Sequence, residues 1–291
     1  MAIPRHNHVR IFAALPATAA MPAQQAQNRN WLGSALALAI AFMLTSAATQ
    51  PAQAQTFNVI NTFTGGGDGA NPFAGVTLDQ AGNLYGTTFQ GGQYGIGTVY
   101  ELRHKGSGWT LNALYTFNGT DGANPQARVI FGSNGTLYGT TQSGGARGNG
   151  TVFNLRPFPS VCKSALCPWM ENPLYAFQGY QNDGANPGDG DLLFDQAGDI
   201  YGTTYTGGAD HVGTVYELTP SGSGWQESVL HSFSFSDGAF PSAGVISDDA
   251  GNLYGTTDAG GSGYGTVFEL MQSTGWTENL LYSFQNGNDG F

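Results

Sequence analysis

The sequence predicts an all-β fold, a β-propeller built from four-stranded blades. Three observations predict it. Four markers recur in a fixed order, the segments between them read as short strands, and helical periodicity is absent. Tyr-Gly-Thr-Thr begins at Tyr85, Tyr138, Tyr201 and Tyr254, and Gly-Thr-Val begins at Gly97, Gly150, Gly213 and Gly265. A Trp stands eight residues before a Phe at Trp109/Phe117, Trp169/Phe177, Trp225/Phe233 and Trp276/Phe284. Asp-Gly follows at Asp68, Asp121, Asp183, Asp237 and Asp289. Successive Tyr-Gly-Thr-Thr strings lie 53, 63 and 53 residues apart, so the unit is near 53 residues.

Composition agrees. Of 291 residues 45 are Gly, yet no Gly-X-Y period runs through them, which excludes collagen. Apolar residues at 40% are too many for a disordered chain. The net charge of -11 argues against nucleic acid, which demands clustered Lys and Arg.

Residues 1–54 read as a secretory signal segment. They hold no Asp or Glu, carry Arg5, Arg10 and Arg29, and continue into the apolar run Leu32–Leu44 and the exit Ala52-Gln53-Ala54. Cleavage is expected after Ala54, with Met1 and Met21 both available as starts; an uncleaved anchor is the alternative. The remainder, 55–291, keeps six basic and all 20 acidic residues, a net charge of -14. It is expected to be secreted or held at the cell surface, with no membrane span.

The repeat domain opens on Gln55–Phe63, which matches the fourth-strand type. Units follow at about 68–117, 121–177, 183–233 and 237–284, with the start of a further unit at 285–291. In the first unit the strands are Gly75–Leu78, Asn83–Thr88, Gly97–Leu102 and Trp109–Phe117. In the fourth of these, Leu111, Ala113, Tyr115 and Phe117 are expected on one face and Leu114 on the other. Apolar residues on both faces mean a sheet covered on both sides, as blades cover one another. Asp79–Asn83 suits a tight hairpin. The chain stops inside a repeated turn, so an incomplete ring closing with further units is expected; four blades with one redundant strand is the alternative.

The blocks DQAGNLYGTT (79–88), DGANP (68–72, 121–125, 183–187) and GTVYEL (97–102, 213–218) resemble the GloVer-type tandem repeats of secreted bacterial proteins. The resemblance covers about 55–291. It implies extracellular placement and a propeller, and brings no activity with it. A looser likeness to kelch units rests on the Gly-Gly pair, the aromatic strand and the Trp, without strict kelch spacing.

One unit is longer. Gly-Thr-Val to Trp takes 12, 19, 12 and 11 residues in turn, and the insert 157–168 holds Cys162 and Cys167. In a secreted chain this pair is expected to form a local disulfide.

Alternating strands place the inter-unit turns and the Gly-Gly loops on one face, where function is expected. Candidate ligand-binding residues there are Asp68, Asp121, Asp183 and Asp237, against the plain reading that Asp before Gly bonds its own turn. Asp183, Asp189 and Asp191 are the best calcium candidates, although EF-hand spacing is missing; no other cofactor is expected. The Tyr of Tyr-Gly-Thr-Thr reads as core rather than as a sugar platform. Asp210 and His211 are candidates because they occur in one unit only. No Ser-His-Asp grouping, His-Glu-x-x-His pair or phosphate loop is visible. A non-catalytic binding module for carbohydrate or protein is the expected role. An extracellular polysaccharide hydrolase or lyase working from the channel, and a structural array of a longer surface protein, are the alternatives.

Overall fold

The computed structural model describes residues 57–157, 169–180, 182–287 and 289. Two compact units divide the chain, Met1–Asn58 and Val59–Phe291. Only Phe57 and Asn58 of the first are described, so the signal segment lies outside the described residues. The Cys162–Cys167 insert does too.

The second unit is an array of antiparallel sheets, one per repeat. The first sheet comprises β1 (Thr77–Leu78), β2 (Leu84–Thr88), β3 (Thr98–Lys105) and β4 (Gly108–Thr116), paired in sequence order. The second comprises β5 (Ile130–Phe131), β6 (Leu137–Thr141), β7 (Thr151–Pro157) and β8 (Trp169–Ala176). Next come β9 (Gly184–Ala185), β10 (Leu193–Phe194), β11 (Ile200–Thr204), β12 (Thr206–Gly207), β13 (Thr214–Ser221) and β14 (Gly224–Ser232). Here β10, β11, β13 and β14 make the third four-stranded sheet, while β9 and β12 pair separately. The fourth sheet is β15 (Ile246–Ser247), β16 (Leu253–Thr257), β17 (Thr266–Met271) and β18 (Thr277–Ser283). Residues 57–64 belong to none of the sheets, yet the Phe63 ring meets Tyr100 edge-on at 4.9 Å. Phe117–Phe153, Phe177–Tyr216 and Phe233–Phe268 repeat that contact between neighbouring units.

The Tyr-Gly-Thr-Thr string makes sense one atom at a time. Tyr85, Tyr201 and Tyr254 donate their hydroxyls to Glu101, Glu217 and Glu269 on the neighbouring strand. The Gly is needed because a Cβ at Gly86 or Gly202 would lie 2.4 Å from the hydroxyl of Tyr100 or Tyr216. The first Thr crosses to the next unit, Thr87 donating to the Ala127 carbonyl and Thr203 to that of Ala243. The second pairs with the Thr of Gly-Thr-Val inside the sheet, as Thr88–Thr98, Thr141–Thr151, Thr204–Thr214 and Thr257–Thr266. Buried hydroxyls are tolerable only when partnered in this way.

The expected arrangement of the fourth strand needs correcting. Val99 pairs with Tyr115 but Tyr100 pairs with Ala113, so Leu114 is a bulge. Cross-strand partners point to the same side of a sheet. Leu111 and Ala113 therefore side with Leu102 and Tyr100, and Tyr115 sides with Val99. The same shift recurs at Val152/Phe153, Val215/Tyr216 and Val267/Phe268. An inserted residue flips the alternation that a plain period of two assumes.

Each junction between sheets is its own core. Tyr85, Val99, Leu114 and Phe117 meet Val129, Leu137, Phe153 and Leu155 of the second unit. Val152, Leu174 and Phe177 meet Leu192, Ile200, Tyr216 and Leu218 of the third. Val215 and Phe233 meet Val245, Leu253, Phe268 and Leu270 of the fourth. The Trp residues pack at these junctions as well: Trp169 lies near Tyr85, and Trp276 near Tyr201.

Candidate functional site

The inter-unit turns and the Gly-Gly loops do share a face. Ala70 bridges Gln90, Ala123 bridges Ser143, β9 pairs with β12, and Ala239 bridges Ala259. Each turn also reaches back one unit, since the amides of Asn124, Asn186 and Phe240 donate to the carbonyls of Ile96, Asn149 and Val212. The backbone there is left-handed at Asn71, Asn124, Asn186 and Phe240, with φ from 55° to 59°. Asn tolerates that region, and this explains the Asp-Gly-Ala-Asn-Pro string.

The repeated aspartates are engaged inside their own turns. Asp68 accepts from the Thr64 amide and hydroxyl, at 2.8 and 2.6 Å. Asp121 accepts from the Asn118 amide at 3.0 Å and the Tyr115 hydroxyl at 2.5 Å. Asp183 accepts from the Gln178 amide at 2.7 Å and the Tyr175 hydroxyl at 2.9 Å. Asp237 accepts from the Ser234 amide at 2.8 Å and faces His231 Nε2 at 3.4 Å. These are turn caps. Asp121→Ala is expected to cost about 2–3 kcal/mol in urea unfolding, because it orphans a backbone amide and a tyrosine hydroxyl. The exposed Asp210→Ala should stay within about 0.5 kcal/mol of the parent.

Behind three of these caps stands a second carboxyl that the sequence reading missed. Glu171, Glu227 and Glu278 each lie two residues after the repeated Trp, and that Trp-x-Glu recurrence was the available signal. Burial, and then the charge of Asp121, push Glu171 up to about 8. Burial and Asp183 do the same to Glu227. Glu278 is raised by burial and by Asp237. In the third unit Asp183 Oδ1, Glu227 Oε1 and the hydroxyl of the fully buried Tyr216 all lack partners among the described residues.

The unit-specific residues converge elsewhere. A cavity of about 700 Å³ is bounded by the segments that lead into the first strand of each sheet in all four repeats, including Phe73, Gln126, Arg128, Asp189, Asp191 and Ser242. Arg128 Nε donates to Asp191 Oδ2 at 2.9 Å, its terminal nitrogen reaches the same oxygen, and its amide donates to Oδ1 at 3.2 Å. Asp189 is held above the usual carboxylate range by burial and by the charge of Asp258. Ser242 Oγ donates to Asp258 at 2.7 Å. Phe73 presents its ring to solvent at 66% exposure and meets Phe89 edge-on.

The structure does not gather Asp183, Asp189 and Asp191 as calcium ligands. Asp183 is bound into its turn, Asp191 is engaged by Arg128, and Asp189 stands on the cavity wall. Among the described residues no group of three or more His, Cys, Asp or Glu could hold a metal ion. Asp210 and His211 sit at the exposed tip between β12 and β13, away from the cavity lining. His211 takes a left-handed φ of 61° where Gly95 and Gly148 stand in other units.

A family model described as Gloeobacter/Verrucomicrobia repeat matches residues 41–166 and 170–291. Among solved structures, the chain is similar to an X-ray structure of a protein provisionally described as a gluconolactonase. The identity is 13% and the TM-score 0.43, over 70% of this chain and 61% of that one. The chain thus spans less than two thirds of that protein's length. No curated protein matches it.

Proposed function

The chain belongs to the Gloeobacter/Verrucomicrobia repeat family, and from that premise we propose that it is a secreted or cell-surface binding module without catalysis, its sheets arranged as propeller blades, taking carbohydrate or protein at the inner cavity and its loop face. The observation that carries this reading is the division of labour among its polar residues. Repeated groups serve the scaffold: the Asp caps hold turns and the Tyr-Gly-Thr-Thr hydroxyls hold sheets. Groups that break the repeat, Arg128, Asp189 and Asp191, line one open cavity. The two-carboxyl mechanism of glycoside hydrolysis needs both groups free to work on one bond, and in this cavity Asp191 is already committed to Arg128.

Two measurements test the proposal. Expression of the full gene in a bacterial host, with mass spectrometry of the exported product, should find an N-terminus at Gln55; retention in the cytoplasm would overturn secretion. Affinity electrophoresis of the protein through polysaccharide gels, alongside pull-down from cell-envelope fractions, should show retention with no reducing ends or unsaturated products released. Release of either product would replace the binding reading with the hydrolase or lyase.

A further inference from the structure

The third repeat departs from the others by one residue. Pro to the hairpin position takes seven residues at Pro72–Asp79, Pro125–Gly132 and Pro241–Asp248, but eight at Pro187–Asp195. The extra residue lies in Gly188-Asp189-Gly190-Asp191, and its consequences are visible on both flanks. On one side, Thr140 stands where Thr87 and Thr203 stand in their units, bonded there to Ala127 and Ala243. Thr140 is 2% exposed and its hydroxyl has no partner among the described residues; the acceptors Ala127 and Ala243 stand two residues after Pro125 and Pro241, and in the third unit that position falls inside the lengthened segment. On the other side, Gly190 and Gly244 approach so closely that a Cβ at Gly190 would lie 2.3 Å from the Gly244 amide nitrogen. A buried hydroxyl left unbonded where its counterparts Thr87 and Thr203 are bonded carries a local cost, and such departures from a repeat concentrate at functional sites.

We propose that this insertion builds a binding site for a neutral, hydroxyl-rich saccharide in the central cavity, with Asp189 as the acceptor of its hydroxyl hydrogens; the inference rests on the binding-module reading. Arg128 has its charge met by Asp191, so the uncompensated charge on the wall is the Asp189 carboxylate. An anionic ligand would be repelled there and by the chain's net charge of -11. A bare cation has no use for the remaining wall, which offers the Gln126 amide, able to donate and accept, and the exposed ring of Phe73. A carboxylate, an amide and an aromatic edge together suit a ring that carries hydroxyls on its rim and C–H groups on its faces. The volume, about 700 Å³, falls among small-molecule pockets.

The test is titration calorimetry of the full chain with neutral hexasaccharides of glucose, mannose, galactose and N-acetylglucosamine, and with hexagalacturonate as the anionic counterpart. At least one neutral sugar is expected to bind and hexagalacturonate to fail. Asp189→Ala should weaken binding about tenfold or more. Asp189→Asn, which keeps an acceptor, should fall between the two, with thermal melting of each variant confirming that it folds. Unchanged affinity in Asp189→Ala, equal binding of hexagalacturonate, or loss of binding in Asp210→Ala would each overturn the site. Silence across the whole panel would overturn it as well. The binding-module reading would in that case still stand on retention of an envelope protein, and would fall only if that retention also failed.

Discussion

Between about pH 5 and about pH 9 the protein is expected to lose about 4 kcal/mol of unfolding free energy, about 2 kcal/mol from each of Glu171 and Glu227. Both carboxyls are raised to about 8 in the fold by burial and by a neighbouring aspartate. In the unfolded chain they titrate near 4.3. Over that interval the folded state holds two protons that the unfolded state has released, so stability falls as pH rises. It is fully present below the unfolded value and lost on passing the folded one. The undiscounted figure would be larger, since each pH unit of separation is worth about 1.4 kcal/mol, but both groups are half-buried and partly screened. Asp183, raised by burial, acts in the same direction. Asp68, Asp79 and Asp248 act in the opposite one, being held low by the hydrogen bonds of their turns. Their stabilisation is present above the unfolded aspartate value and lost in acid, which places the optimum in the mildly acidic range. His231, lowered by burial, favours the fold as pH rises through the ordinary histidine value and so opposes the glutamates slightly.

Urea unfolding followed by Trp fluorescence at several pH values measures this directly. The Glu171→Gln, Glu227→Gln double variant should lose most of the slope above about pH 5. The first unit supplies a natural precedent, since Leu111 occupies the corresponding position and its sheet forms all the same. A parent protein with flat stability across the range, or a double variant with the parent's slope, would show that these carboxyls ionise freely in the fold.

Strands, turns and their shared face were legible because each depends on residues close in sequence. Gly-Thr-Val, Tyr-Gly-Thr-Thr and Asp-Gly-Ala-Asn-Pro specify local hydroxyl pairs, tight backbone and left-handed turns, and a repeat displays such rules four times over. The bulge at Leu114 was not legible, because it is set by cross-strand register rather than by the pattern of one strand. The Arg128–Asp191 pair joins residues 63 positions apart, and only the approach of two repeats brings them together. Asp68, Asp121, Asp183 and Asp237 were readable either as ligands or as caps. Sequence could not decide between these, because the deciding atoms are a backbone amide and a side chain a few residues upstream, that of Thr64, Tyr115, Tyr175 or His231. The extra residue at Gly188–Asp191 was countable from Pro187 to Asp195, but its meaning needed the orphaned Thr140 hydroxyl beside it.

Gly144→Ala is expected to destabilise the protein by about 4 kcal/mol or more, and Gly135→Ala by only about 1 kcal/mol. Both glycines have a left-handed backbone, with φ of 78° and 70°, so both substitutions carry the same conformational penalty. They differ in what a methyl group meets. At Gly135 nothing lies within 4 Å. At Gly144 the new Cβ would lie 2.5 Å from the Gly122 carbonyl carbon, 2.7 Å from the Ala123 nitrogen and 2.8 Å from the Gly119 oxygen. All three are backbone atoms of the inter-unit turn, so no side chain can swing away. Relief requires the turn to lift off its loop, breaking the Ala123–Ser143 bridge. The neighbouring latch, where the Asn124 amide meets the Ile96 carbonyl of the previous unit, belongs to the same turn. The corresponding contacts at Gly91, Gly207 and Gly260 are 2.6 to 2.9 Å, again to turn backbone. One methyl at this position therefore strikes the contact that seats a turn on its own loop and, through Asn124, ties one repeat to the next. Thermal melts of the two variants side by side separate strain from docking: equal losses would mean that turn and loop are not closely seated, whereas a large excess for Gly144→Ala means that close backbone contact between them, and not glycine's freedom alone, holds the array together.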